Sequence, residues 1–201
     1  MKGLLLLSSG IDSPVAGRMM IDQGVDVIAV HFLLLDNRKE QEKVKALAKK
    51  IGVRKLFFAD LRPCHDAFKE KGNARFTCVF CKRSMLRIAE KLAKKERCDF
   101  LITGENLGQV ASQTLDNMAV IDTAVKMKIL SPLLGFDKND TVRIAKKFGT
   151  YELSIQKSPG CPYLPRKPLT RAKLEMMERM EEYVEINKLV DKSYKTIKQI
   201  F

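Results

Sequence analysis

No stretch of the 201-residue chain is both long and apolar enough to cross a bilayer. The runs Leu4–Leu7 and Val25–Leu35 are too short or are interrupted by polar residues, and a span needs about 20 apolar residues. No secretory leader is legible either, because Met1-Lys2-Gly3 runs directly into an apolar strand pattern. These two absences predict a cytoplasmic protein with no membrane partner. Five cysteines, Cys64, Cys78, Cys81, Cys98 and Cys161, are an odd count in a reducing compartment. That argues against a disulfide framework and for metal or sulfur chemistry. No internal repeat or low-complexity tract is present. Acid is scarce, with 24 Asp and Glu against 37 Lys and Arg and a formal net charge of +13. From Arg171 onward seven basic and six acidic residues nearly cancel, so the excess lies in residues 1–170. Arg62–Arg87 holds seven basic and two acidic residues, and Ser154–Thr170 carries Lys157, Arg166 and Lys167 with no acid. A polyanion is the partner this distribution suggests, nucleic acid being the commonest, and a Lys-rich surface of thermophile type is the plain alternative.

What is present points first to the segment Leu4-Leu5-Leu6-Leu7-Ser8-Ser9-Gly10-Ile11-Asp12-Ser13. An apolar run stops abruptly in small and hydroxylated residues, and a helix pattern starts at Pro14, a residue the first helical turn tolerates. Such a strand–turn–helix aims several backbone N–H groups and the positive end of the helix dipole at one point, where an anion belongs. Ser8, Ser9 and Ser13 add hydroxyls, and Gly10 lets a phosphate approach the backbone. The plain alternative is an ordinary turn with a serine cap.

Further strands are expected at residues 25–33, 55–59, 99–103 and 128–134. Amphipathic helices are expected at 39–51, 84–96 and 140–148, with Gly52 and Gly149 closing two of them. Strand and helix alternate, which predicts an α/β, Rossmann-like parallel sheet of about five strands with helices on both faces and ligands beyond the strand C-termini. Ser154–Thr170 holds four of the seven prolines and reads as a stiffened irregular loop. Residues 171–201 read as helical, with a stripe at Val190, Tyr194, Ile197 and Phe201. The expected organisation is one domain over 1–170 and a helical extension over 171–201 that packs on it; dimerisation through that tail is the lesser option.

The first motif resembles the PP-loop, the Ser-Gly-Gly-x-Asp-Ser signature of enzymes that split ATP into AMP and pyrophosphate, with Ser9 standing where glycine is usual. A second run, Gly104-Glu105-Asn106-Leu107-Gly108-Gln109-Val110-Ala111-Ser112-Gln113-Thr114-Leu115, is similar to the adenylation domain of the ThiI-type tRNA 4-thiouridine sulfurtransferases, which in some organisms also serve thiamine thiazole synthesis. The likeness extends over roughly residues 4–170. Other PP-loop enzymes, such as NAD, GMP and asparagine synthetases, share the first motif without the second. The resemblance implies nucleotide contacts at Leu6, Leu7, His31, Phe32, Lys82, Gly104 and Gln113, with Lys82 neutralising a phosphate and Asp12 holding Mg²⁺ or orienting the loop. For His31 a plain core histidine is an equal alternative.

The resemblance also makes Cys161, in Lys-Ser-Pro-Gly-Cys-Pro, the catalytic cysteine: after adenylation of a substrate carbonyl, sulfur carried by Cys161 attacks the same carbon. Cys78-Val79-Phe80-Cys81 is a C-x-x-C ahead of a helix. Family members that combine such a pair with a later cysteine suggest Cys78, Cys81 and Cys161 as ligands of an iron–sulfur cluster. The rival is persulfide chemistry, with Cys78 or Cys81 resolving a Cys161 persulfide. A third reading is zinc completed by Cys64 or His65. Cys98 reads as inert packing. The implied activity is ATP-dependent thiolation of a tRNA uridine to 4-thiouridine, fed by a sulfur donor protein or sulfide. Full-length relatives carry a THUMP-type RNA-binding module and some a rhodanese domain. Neither is expected here, so RNA binding falls to the basic surface or to an RNA-binding partner subunit. The alternatives are thiolation of a small molecule or carrier protein, and a nucleotide- or RNA-binding subunit without chemistry of its own.

Overall fold

The computed structural model describes all 201 residues. In chain order the elements are β1 (Lys2–Leu6), α1 (Asp12–Asp22), β2 (Asp26–Leu33), α2 (Arg38–Ile51), β3 (Leu56–Asp60), α3 (Arg62–Lys71), α4 (Thr77–Lys95) and β4 (Phe100–Ile102). There follow α5 (Leu115–Asp122), β5 (Ile129–Leu130), α6 (Lys138–Lys147), α7 (Tyr151–Ser154), α8 (Leu174–Tyr183), α9 (Ile186–Lys195) and β6 (Lys198–Gln199). A single sheet runs β5-β4-β1-β2-β3-β6. The first five strands pair in parallel. Parallel neighbours need crossover connections, and the helices of those crossovers cover both faces. Strand side chains alternate accordingly. Leu4, Ile28 and Val30 face a core built with α3, α4, α5, α8 and α9. Leu5, Val27 and Ala29 face a second core with α1, α2 and α6. No helix is long and apolar enough to cross a membrane.

Helices α3, α5 and α7 are additions to the elements expected from sequence, and three expected elements take a different course. The fifth strand stops at Leu130 instead of reaching Leu134: Leu134 N donates to the Ser131 carbonyl at 3.1 Å, and Pro132 has no N–H to give a ladder. Helix α4 begins at Thr77, so the C-x-x-C lies within its first turns; buried Val79 and Phe80 extend the apolar face that far. The tail is not helical to its end. The stripe of Val190 and Tyr194 breaks after Lys195, and β6 lies antiparallel on β3, with Phe57 opposite Gln199 and Phe58 opposite Lys198. Ile200 N donates to the Leu56 carbonyl at 2.7 Å and Leu56 N to that of Phe201 at 3.1 Å. The sheet therefore has six strands, and the outer ladder groups of β3, which an edge would leave unpaired, are used.

Charge also fastens the tail. Arg83 is 1% exposed. Its Nε and Nη2 donate to the two carboxylate oxygens of Glu181 at 2.7 and 2.9 Å. Its Nη1 donates to Thr123 Oγ1 at 2.8 Å and to the Val120 carbonyl. Arg87 Nη2 adds a bond to Glu181 Oε2 at 2.8 Å. One buried carboxylate thus joins α4 to α8, and Arg83 joins both to α5.

Candidate active site

Strand order reverses between β1 and β4, and a doubly wound sheet opens its ligand crevice at that switch point, beyond the strand C-termini. Two loops meet there: residues 7–11 after β1, and Thr103-Gly104-Glu105 after β4. They touch backbone to backbone. A Cβ on Gly104 would stand 2.5 Å from Ser13 N and 2.6 Å from Ser13 Cα, so a residue with a side chain cannot hold this approach without displacing the start of α1.

The phosphate-type loop is braced by its own serines. Ser8 N donates to Ser13 Oγ at 2.8 Å, the two hydroxyls lie 2.9 Å apart, and Gly10 N donates to Ser8 Oγ at 3.3 Å. No side chain caps α1, which leaves the amides of its first turn for a ligand. Ser9 turns away from the loop, its Oγ donating to Glu40 Oε1 on α2 at 2.9 Å. The hydroxyl that departs from the usual glycine thereby has a partner of its own. Both oxygens of Asp12 accept from Lys138 Nζ, at 2.8 and 3.1 Å.

Around these loops lies a cleft of about 470 Å³ lined by Leu6, Leu7, Ser8, Ser9, Asp12, Ser13, His31, Phe32, Cys81, Lys82, Gly104, Gln113 and Cys161. The sequence-predicted residues are thus brought to one place, with two exceptions. Gly10 is exposed on the turn, and Cys78 is one turn from Cys81 on α4 without lining the cleft. His31 is both a lining residue and a core histidine. Its Nδ1 lies 2.9 Å from the Leu7 carbonyl, and its ring meets Phe58 edge-on at 5.4 Å. Burial lowers its pKa against the opposing pull of that hydrogen bond. Lys82 reaches into the cleft but pairs with Glu105 at 2.5 Å. Burial, then the nearby Glu105 charge, raises the pKa of Asp122 on the same wall. Gln113 lines the cleft, and its Oε1 is buried with no hydrogen-bond partner.

Cys161 is exposed, on the irregular segment between α7 and α8. Cys78 and Cys81 are half-buried. Desolvation is the main cause of the raised pKa of each, and the neighbouring Cys161 sulfur raises both further. The three thiols therefore sit within electrostatic reach of one another. No three His, Cys, Asp or Glu side chains converge in a geometry that holds a metal ion. Of the expected iron–sulfur set, Cys78 and Cys81 stand half-buried on α4 and Cys161 on the separate exposed segment near them. The zinc set completed by Cys64 or His65 is not assembled. Cys64 is wholly buried with its sulfur 3.4 Å from Ser193 Oγ, and Cys98 is buried in the core before β4.

The irregular segment is fastened at several points. Asn117 Nδ2 donates to the Leu169 carbonyl, Ala172 N to Asn117 Oδ1, and Thr114 Oγ1 to the Thr170 carbonyl. Tyr163 stacks on His65 with ring centres 4.2 Å apart and donates to Asp66 Oδ1 at 2.8 Å. His65 is 2% exposed and neither ring nitrogen has a partner. Burial brings its pKa down to about 4, against the opposing charge of Asp66. The unfolded chain takes up this proton near 6.5 and the folded chain only near 4, so acidification through that window favours unfolding. His65→Phe keeps the stacked ring and is expected to flatten this loss. Urea midpoints at pH 7 and pH 5 that shift equally in parent and variant would contradict it.

Glu40, Lys43, Glu105 and Lys138 were not singled out as site residues from sequence. Glu105 lies within the second motif, and Lys43 stands beside Val44 in a helix whose other buried residues are apolar.

Over residues 1–186 the chain matches the family model described as ThiI, thiamine biosynthesis protein. It is 42% identical over 193 residues to a probable tRNA sulfurtransferase of Methanocaldococcus jannaschii, covering 92% of this chain and 50% of that protein. A probable tRNA sulfurtransferase of Coxiella burnetii is 42% identical over 202 residues, covering 96% and 51%. The chain thus spans about half the length of the curated relatives it matches. A solved 4-thiouridine synthetase–RNA complex with bound ATP aligns at a TM-score of 0.92 and 34% identity, over 98% of this chain and 54% of that one. NMN synthetase from Francisella tularensis, at a TM-score of 0.62 and 14% identity, shares the fold alone. The phosphate-type loop at a sheet switch point, the second glycine-bearing loop pressed against it and the family match over nearly the whole length lead to one assignment: the chain belongs to the ThiI thiamine biosynthesis protein family.

Proposed function

We propose that this cleft uses ATP to adenylate a tRNA uridine and then replaces the adenylate by sulfur carried on Cys161. The observation that carries this reading is the meeting of the Ser8–Ser13 loop and Cys161 in one cleft. The relatives named tRNA sulfurtransferase, and the 4-thiouridine synthetase structure with RNA and ATP, support it.

The free amides of α1 and the loop hydroxyls bind the phosphates. Gln113 Oε1 accepts from an amino group such as that of adenine. Lys82 and Lys138 exchange Glu105 and Asp12 for phosphate oxygens. Asp12, released from Lys138, would then hold Mg²⁺ together with the phosphates, an arrangement this ion favours and one that would neutralise the departing pyrophosphate. Uridine O4 attacks the α-phosphorus and pyrophosphate leaves. The terminal sulfur of a Cys161 persulfide attacks C4 and AMP leaves. A thiol of α4, Cys78 or Cys81, attacks Cys161 Sγ, which releases 4-thiouridine and leaves a disulfide for an external dithiol to reduce.

Nucleotide product analysis tests the reading. Anaerobically purified protein receives labelled ATP, Mg²⁺, a sulfane-sulfur donor such as polysulfide and a dithiol reductant, with and without unmodified tRNA. AMP and pyrophosphate that appear only with tRNA, alongside thiolated uridine, are expected. AMP formed without RNA would move the acceptor to a small molecule or carrier protein. Iron and labile sulfide that copurify with the protein and are lost on Cys78→Ala would replace the persulfide by cluster-bound sulfide.

A further inference from the structure

Lys43 is a buried cation in a place where packing alone asks for none. It lies on α2 beside Val44 and one turn before Leu47, and is 7% exposed. Its Nζ donates to the Ser154 carbonyl at 2.8 Å, the Gln156 carbonyl at 2.7 Å and Ser158 Oγ at 3.0 Å. All three ammonium protons are thus used, each on the stretch that leads directly to Cys161. Its partners are neutral oxygens, and the one charge that favours its ionised form is Glu40, against the larger effect of burial. A buried ammonium carries a desolvation cost that a Leu or Met at this position would not. Glu40 stands one turn earlier on the same helix, lines the cleft and accepts the Ser9 hydroxyl at 2.9 Å. Two adjacent turns of α2 therefore grip the phosphate-type loop on one side and the root of the Cys161 segment on the other.

We propose that Lys43 is a positioning residue for sulfur transfer, fixing the root of the Cys161 segment from the helix that also holds the phosphate-type loop. This rests on the reading of Cys161 as the sulfur carrier. Lys43 touches neither nucleotide nor acceptor; it sets where the thiol stands relative to an adenylate formed over Ser8–Ser13. A lysine serving stability alone would lower both half-reactions together, in step with the folded fraction. A positioning lysine separates them.

The test uses the full chain with Lys43→Met, which keeps length and apolar packing, and Lys43→Arg, which restores charge and donors. In single-turnover assays with tRNA, Lys43→Met is expected to lower the yield of thiolated uridine per pyrophosphate about tenfold or more, with Lys43→Arg recovering part of it. Iodoacetamide should alkylate Cys161 several-fold faster in Lys43→Met than in the parent, because the segment is released. A parent-like ratio of thiolation to pyrophosphate together with a parent-like alkylation rate overturns the proposal. If Lys43→Met does not fold, Ser158→Ala, which removes one of the three bonds, decides: a smaller fall in the same ratio is expected, and an unchanged ratio overturns the proposal. If the parent itself makes no AMP, the proposed function fails, while the alkylation rates still report whether Lys43 holds the segment.

Discussion

Cys161→Ala will still adenylate unmodified tRNA and release pyrophosphate from ATP, and it will transfer no sulfur. The loss of thiolated uridine should be at least ~1,000-fold, the order expected when a covalent carrier is removed from a two-step reaction. The two half-reactions would separate because the proposed nucleotide contacts, the Ser8–Ser13 loop, the first turn of α1 and Gln113, line one part of the cleft. Cys161 comes from a different and exposed segment. Pyrophosphate release by the variant should start at the parent rate and stop when the adenylated uridine fills the site, so a burst followed by a stall is the expected trace, with little free AMP. A variant that thiolates at the parent rate would remove Cys161 from the mechanism. One that releases no pyrophosphate would place the thiol in nucleotide or acceptor binding.

Glu181→Ala is expected to be the most destabilising single change in the tail, by about 3–5 kcal/mol, the usual cost of leaving a buried charge uncompensated. It strands Arg83, which is 1% exposed and donates to both carboxylate oxygens, and it frees Arg87. Breaking the pair and replacing the pair are different experiments. Arg83→Met combined with Glu181→Leu removes both charges and fills the volume, and should recover most of the loss. Urea unfolding of the two singles and the double closes the cycle; a Glu181→Ala midpoint equal to that of the parent would show that the network adds nothing to stability. Burial by itself raises the pKa of Glu181, but the hydrogen bonds from Arg83 and Arg87 outweigh it and hold the carboxyl below its ordinary value. Its contribution is therefore present above the ordinary carboxylate range and fades as pH falls through the depressed value. The neutral buried His65 acts over a higher window, so acid weakens the body through His65 first and the tail through Glu181 afterwards.

The parts of this fold that were legible in the sequence are those whose signal is local. The abrupt end of Leu4–Leu7 in serines marked a strand, a loop and a helix N-terminus, and the second motif marked the loop facing it; both line the cleft. The irregular course of the proline-rich segment follows from four residues with fixed φ and no N–H. What stayed hidden depends on partners far along the chain. Arg83 sits next to Lys82 in sequence, yet one enters the core and the other faces the cleft, a division that only Glu181 and Glu105 reveal. Gly104 shows in sequence as permissive backbone, whereas the structure shows contact with Ser13. Two-residue β6 is too short to have a period. Ile197 and Phe201, which flank it, also suit a helical stripe, and the choice between strand and helix is made by the open edge of β3.

That edge has a consequence for how the protein is made. The residues that cover β3, Lys198 and Gln199, follow it only roughly 140 positions later, about 7–28 s at typical translation speeds. Throughout that interval the nascent sheet presents Phe57 and Phe58 along an unpaired ladder, the arrangement that recruits strands from other chains. Emergence of β6, rather than completion of the cleft, is then the moment at which this edge ceases to be sticky. A premature stop anywhere in α9 would leave the cleft residues in place on a chain prone to coaggregate.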